Sequence, residues 1–245
     1  MKQAHSLFIS DLHLCESRPE ITQSFIFFLK KTVSQAEALY ILGDFFEYWV
    51  GDDDLSNTAH LAIIQALKEL SNSGVKLFIM HGNRDFLIQT NFCLATGATL
   101  ITDPILIDLY GSPTLLSHGD ILCTDDLPYQ KFRSEVRTEA WSKKFLHQPL
   151  NKRQAIVKQL RQKSEVAKSE KSEEIMDVNN FAIERLLRDF NYPPTLIHGH
   201  THRPARHYLM VDNHTVIRIV LGDWYEQGSY LKADANSIKA YNLES

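Results

Sequence analysis

The chain has 245 residues, 44% of them hydrophobic and 23% charged, with 26 Lys and Arg against 30 Asp and Glu for a formal charge of −4. This composition excludes wholesale disorder and collagen-like or mucin-like chains, and the length suffices to bury a substantial core. A mean hydropathy of −0.24 and the lack of any apolar run of about 18 residues exclude a spanning helix.

The run 7–9, Leu-Phe-Ile, predicts a first strand leading into Asp11. Ile21, Phe25, Phe28 and Leu29 then share one helical face. The run 39–42 predicts a strand ending at Gly43-Asp44, and Ile63, Leu67 and Leu70 a second helix. Further strands are expected at 75–79, leading into His81-Gly82-Asn83, and at 114–116, leading into His118-Gly119-Asp120. Between 127 and 190 this rhythm breaks. Trp141 and Phe145 are four apart, as are Ile156 and Leu160, and Ile183, Leu186, Leu187 and Phe190 form a helical stripe. The segment reads as a helical insertion, or cap, within a single domain spanning 1–245. The run 195–197 leads into His198-Gly199-His200, and 216–221 and 230–233 add strands. Alternating strands and helices predict an α/β protein whose sheet is covered by helices.

Five of these runs end in side chains of metal-ligand type beside a glycine or another ligand. In order they are Asp11-Leu12-His13, Gly43-Asp44, Gly82-Asn83-Arg84-Asp85, His118-Gly119-Asp120 and Gly199-His200-Thr201-His202. In α/β sheets ligands bind at the carboxyl ends of strands. Five strand ends can therefore bring Asp11, Asp44, Asn83, His13, His118, His200 and His202 to one place. Mixed nitrogen and oxygen donors without thiolate suit Mn²⁺, Fe²⁺ or Zn²⁺ better than Ca²⁺ or a structural cysteine-type zinc. Seven donors are too many for one ion and fit two, which a bridging carboxylate would hold roughly 3.5–4 Å apart for in-line displacement at phosphorus.

The five spaced blocks resemble those of the calcineurin-like metallophosphoesterases, whose pattern is D-x-H, G-D, G-N-H-D/E, H-G-D and G-H-x-H. The resemblance implies a four-layer αββα sandwich. It further implies that Asp11, His13 and His202 bind one metal, that Asn83, His118 and His200 bind a second, and that Asp44 bridges them. Arg84 departs from the pattern, standing where most relatives have His. Arg cannot donate a proton near neutral pH but can grip phosphoryl oxygens in a fork. That change favours a diphosphate substrate, whose leaving group needs little protonation, over an alkyl phosphodiester.

Longer matches narrow the family. Asp-Leu-His-Leu-Cys at 11–15, Tyr-Ile-Leu-Gly-Asp at 40–44, Gly-Asp-Asp-Asp at 51–54 and His-Gly-Asn-Arg-Asp-Phe at 81–86 are similar to one subfamily. So are the segments 118–126, 175–179 and 197–204. Together they resemble the UDP-2,3-diacylglucosamine hydrolases of lipid A biosynthesis in Gram-negative bacteria. The resemblance implies water attack on the α-phosphorus of UDP-2,3-diacylglucosamine, yielding UMP and 2,3-diacylglucosamine 1-phosphate. It implies two Mn²⁺ per chain, a cytoplasmic location at the face of the inner membrane, and catalytic roles for Asp44, Asn83, Arg84 and His118. Substrate contacts are expected from Asn83, Arg84, Asp126, Ser164, Lys168, Lys171 and His200, although relatives often carry Asn where Lys168 stands. Another dimetal phosphodiesterase or pyrophosphatase, acting on nucleotides or nucleic acid, is the alternative, and a scaffold without metal is a third reading.

The insertion is strongly basic. From 128 to 171 there are twelve Lys and Arg against four acids, an excess of about +8 that leaves about −12 on the remainder. Phe132, Trp141, Phe145, Leu146, Leu150, Ile156, Val157 and Leu160 give it an apolar side. These features fit acyl contact and docking on anionic lipid through Lys143, Lys144, Lys152 and Arg153. They fit nucleic acid less well. Among the 11 histidines, His81 and His198 read as packed or supporting, and His5, His60, His147, His207 and His214 as surface residues. Asp52, Asp53 and Asp54 read as a solvated loop, and Asp85 and Asp120 as groups that orient their neighbours. The three cysteines are scattered, which predicts a reducing compartment and packing roles, and the N-terminal residues lack the pattern of a secretory signal.

Overall fold

The computed structural model describes residues 4–55, 57–169, 175–225 and 228–243, the side chains of 163–169 left aside. The first three apolar runs form β1 (Ser6–Ile9), β2 (Ala38–Leu42) and β3 (Lys76–Met80). Between them lie α1 (Pro19–Lys31) and α2 (Thr58–Asn72). Pro19 opens α1, with Glu20 in its first turn and Lys30 and Lys31 in its last, matching the helix dipole. Asn57 caps α2 by accepting from the Ala59 amide. Then come α3 (Thr90–Thr96), β4 (Ala98–Ile101), β5 (Ile105–Leu109) and β6 (Ser112–Ser117). After the helical segment follow β7 (Thr195–His198), β8 (Ala205–Val211), β9 (His214–Val220), β10 (Ser229–Ala233) and β11 (Ile238–Asn242).

The strands form two mixed sheets, ordered β11-β10-β1-β2-β3-β4 and β5-β6-β7-β9-β8. Within them β1 to β4 run parallel, as do β6, β7 and β9. Alternation along each strand divides the core into three. Leu7, Ile9, Leu39 and Ile41 face Phe25, Phe28 and Leu67 of α1 and α2. Phe8, Leu42 and Met80 meet Leu116, Ile197 and Ile219 between the sheets. Leu115, Leu196 and Val216 pack on Ile183 and Leu187 of α7 (Asn180–Asp189). Helix, sheet, sheet and helix thus stack as four layers, and the α7 stripe supplies the outermost one.

The remaining helices of the segment 127–190 are α4 (Leu127–Val136), α5 (Glu139–Leu146) and α6 (Leu150–Ser169). Their apolar side differs from the expected acyl lining. Phe145 is buried, and Trp141, Leu146, Ile156 and Val157 pack with it against the first core. Phe132 and Leu127 remain exposed. Arg153, expected at a membrane surface, is only 1% exposed. It donates to Val50 O and to both carboxylate oxygens of Asp53, and its Nε donates to Gln148 O at 2.9 Å. Burial is tolerated because the guanidinium finds acceptors on several sides.

The acidic run is not a solvated loop. Asp52 and Asp54 are buried, and Asp52 accepts from Trp49 Nε1 at 3.0 Å and from the Gln89 and Phe92 amides at the start of α3. His60 and His5 are buried as well; His60 sits against the rings of Phe46 and Trp49, and burial pushes its pKa down. Strands β4, β5, β8 and β11, which the sequence reading did not name, are part-exposed over much of their length.

Candidate metal centre

The carboxyl ends of β1, β2 and β3 in one sheet, and of β6 and β7 in the other, open onto a common place. Asp11, His13 and His202 offer ligand atoms that all lie within 4.8 Å of one another, and Asp44, His118 and His200 form a second such group. Asp44 faces both. Its Oδ2 lies 3.8 Å from His13 Nε2 and its Oδ1 lies 3.7 Å from His118 Nε2. Asn83 Oδ1 approaches His118 Nε2 at 3.1 Å. The sequence-predicted donors are therefore gathered around one carboxylate.

Close packing of backbone makes this possible. A Cβ on Gly82 would collide with the amide and carboxylate of Asp44, and one on Gly199 with Asp11 and Ser10. Asp11, His13, Asp44, His200 and His202 all adopt positive φ, between 50° and 70°. Left-handed backbone is uncommon for non-glycine residues and concentrates at functional sites.

The cluster concentrates buried charge. Burial pushes Asp44 up to about 7, with Asp11 and Asp85 adding to the effect. Burial disfavours charge on His118, yet Asp44, Asp120 and Asp11 together push it up to about 9. His202 is likewise raised to about 9, with Asp11 and Asp223 outweighing burial. His200 is pushed down to about 3 by burial and by His118. Asp11 Oδ1 and His13 Nδ1 are buried without completing a hydrogen bond. His13 and His202 bring their Nε2 atoms within 3.4 Å of each other. Converging lone pairs and buried carboxylates fit divalent cations, and the donor set fits a pair of them.

Support for the donors comes from outside. His118 Nδ1 lies 2.9 Å from Leu42 O, an acceptor, so Nδ1 carries a proton and Nε2 is the nitrogen turned toward Asn83 and Asp44. The Asp11 Oδ2 atom accepts from Ser10 Oγ at 2.5 Å and from the His200 amide at 2.9 Å. Asp85 accepts from the Phe45 and Gly82 amides, the orienting role expected of it. Asp120 takes Tyr129 Oη–H at 2.5 Å and Arg133 Nε–H at 2.7 Å, which ties α4 to the site. His81 and His198 are packed, bonded to Ile88 O and to Gly199 O and Arg218 respectively.

The family model for calcineurin-like phosphoesterases matches residues 5–204. A protein of Aromatoleum aromaticum named UDP-2,3-diacylglucosamine hydrolase is 51% identical over 94% of this chain and 93% of its own. One of Cellvibrio japonicus with the same name is 48% identical over 98% of this chain and 99% of its own. The chain belongs to the UDP-2,3-diacylglucosamine hydrolase family. Among solved structures, vacuolar protein sorting 29 of Cryptosporidium parvum matches with a TM-score of 0.52 at 12% identity, covering 100% of this chain and 94% of that one. That likeness concerns the sandwich alone.

Two carboxylates escaped the sequence reading of this family member. Asp223 Oδ2 lies 3.2 Å from His202 Nδ1. Its signal was present, since the run 216–221 ends in Gly222-Asp223 just as 39–42 ends in Gly43-Asp44. Glu47 lies 3.8 Å from His13 Nδ1 and had no such signal. Of the expected substrate contacts, Arg84 borders the cluster, its amide donating to Asp44 Oδ1 at 2.8 Å. Asp126 is buried and its Oδ1 caps α4 through the Tyr129 amide. Ser164 and Lys168 lie on α6 with side chains outside the described residues, and Lys171 lies outside them altogether.

Proposed function

We propose that the chain hydrolyses the pyrophosphate bond of UDP-2,3-diacylglucosamine to UMP and 2,3-diacylglucosamine 1-phosphate. In this reading Asp11, His13 and His202 hold one Mn²⁺, Asn83, His118 and His200 hold another, and Asp44 is shared. The observation that carries it is the pair of donor groups facing opposite oxygens of Asp44. Its setting is a chain about half identical to proteins named for this hydrolysis. Two bound ions supply Lewis acidity at phosphorus and a water of lowered pKa.

The residues of the chain do the rest. The oxygen of water bonds to the α-phosphorus as the bridging P–O bond breaks, the sugar 1-phosphate leaves as an anion needing little protonation, and the protons of the water pass to solvent. Arg84 holds phosphoryl oxygens through its fork, which suits such a leaving group. Asn83 and His200 bind the phosphates beside it, and Asp126, Ser164, Lys168 and Lys171 bind the remainder of the lipid. Exposed Lys143, Lys144 and Lys152 rest on the cytoplasmic face of the inner membrane, where anionic headgroups attract them. No helix among the described residues is long and apolar enough to cross a membrane.

The test is Mn²⁺-dependent release of UMP from UDP-2,3-diacylglucosamine, with Asp44→Ala as control. Faster cleavage of alkyl phosphodiesters or single-stranded DNA overturns the reading in favour of a nucleic-acid or nucleotide phosphoesterase. For the membrane contact, Lys143→Glu, Lys144→Glu and Lys152→Glu combined are expected to abolish sedimentation with phosphatidylglycerol vesicles. Unchanged sedimentation overturns that part alone.

A further inference from the structure

Glu47 follows β2 in the segment Asp44-Phe45-Phe46-Glu47, and its side chain is only 5% exposed. A buried carboxylate needs partners, and this one has gathered three cations from three parts of the chain. Arg18, just before α1, binds its Oε2. Arg161 of α6 reaches Oε1 at 2.8 Å, and Arg84 of the third block stands 4.0 Å from the same atom. Oε1 also faces His13 Nδ1 at 3.8 Å. His13 Nδ1 is buried and completes no hydrogen bond. His13 turns its other nitrogen toward His202 and Asp44.

We propose that Glu47 is a positioning residue with two tasks. Its charge holds the His13 ring with Nδ1 turned toward the carboxylate at 3.8 Å, which leaves Nε2 facing the centre for a metal. It also gathers Arg18, Arg84 and Arg161 beside the centre, so that α6 of the helical segment is registered against the phosphate-binding side. Three guanidinium groups around one carboxylate leave an excess of positive charge. A diphosphate, carrying two adjacent negative charges, is the substrate class such an excess accommodates. Tyr225 closes the cluster, stacked on His13 with ring centroids 5.3 Å apart and lying under Arg18 at 4.5 Å.

This rests on the dimetal reading above, and the test distinguishes their failures. Titration of metal-free Glu47→Gln with Mn²⁺ is read by calorimetry, alongside its circular dichroism. The expected result is a folded protein that binds one ion as the wild type does and the other about 10–100-fold more weakly, the loss found when a partner of a ligating histidine is removed. With UDP-2,3-diacylglucosamine, KM is expected to rise by a larger factor than kcat falls, because the arginines that grip the diphosphate lose their anchor. Wild-type affinity for both ions overturns the proposal. Should Glu47→Gln not fold, Glu47→Asp keeps the charge but withdraws it from His13, and wild-type affinity there overturns it equally. Absence of UMP release by the wild type strikes the proposed function instead, leaving the metal titration to judge Glu47.

Discussion

His118 and His202 are each raised to about 9 by the carboxylates around them, although burial opposes their charge. Near neutral pH both therefore hold a proton that a metal must displace. Loading at pH 7.0 should release one proton from each, so calorimetric heats are expected to differ between buffers of high and low ionisation enthalpy. Equal heats would mean that the histidines are already neutral. At Gly82 the constraint is steric. Gly82→Ala would place a Cβ on the Asp44 amide and carboxylate, and it is expected to abolish activity and reduce metal content by direct elemental analysis. Arg84→Lys keeps the charge but loses the fork, and about a tenfold or greater fall in kcat/KM is expected from assay of UMP release.

At the scale of elements, α6 is held to the sandwich by Arg153, whose partners are Val50 O, Gln148 O and Asp53. Arg153→Met leaves these acceptors without their donor. A loss of about 2 kcal/mol is expected, or a fall in Tm of roughly 5 °C for a chain of this size. The pH dependence follows from Asp53, which the hydrogen bonds of Arg153 hold below its ordinary value of 3.8. A depressed carboxylate stabilises the fold above its unfolded pKa, and this contribution is lost as pH falls through the folded value. The Tm difference between wild type and variant is thus expected to narrow below about pH 4. The same elements show what was legible in the sequence. Strands buried on both faces, such as β1 and β7, announce themselves as apolar runs, and so did the donors at their ends. The edge strand β8 was missed although residues 208–211 are apolar, since its burial alternates only in the fold. Glu47 gave no signal, its partners lying far along the chain and joined to it only by folding. Arg153 reads as surface charge until the fold supplies an acceptor on each side.

The whole molecule divides its charge unevenly, about +8 in residues 128–171 and about −12 elsewhere. The two portions are in contact. Arg133 pairs with Asp120, Arg153 with Asp53 and Arg161 with Glu47, each a basic residue of the helical segment meeting an acid of the sandwich. Part of the basic excess is thus neutralised internally. Added salt should weaken the exposed part of this attraction. Amide exchange of residues 139–162 is expected to quicken between roughly 0.05 and 0.5 M NaCl, with the β1 and β2 amides unaffected. Equal exchange at both salt concentrations would assign the contact to apolar packing alone.

The left-handed backbone at Asp11, His13, Asp44, His200 and His202 also bears on how such a chain changes over time. Each non-glycine residue held there costs about 1 kcal/mol that glycine would not. Glycine at Asp44 would relieve strain and remove a carboxylate whose charge burial disfavours, so the apo protein carrying Asp44→Gly should melt higher than wild-type apo protein. Random drift at such a position would thus be rewarded with stability for the donor it erased. A copy released from its catalytic duty should lose these five residues early, and a sequence that still holds all of them is one in which activity is retained against a standing thermodynamic incentive to discard it.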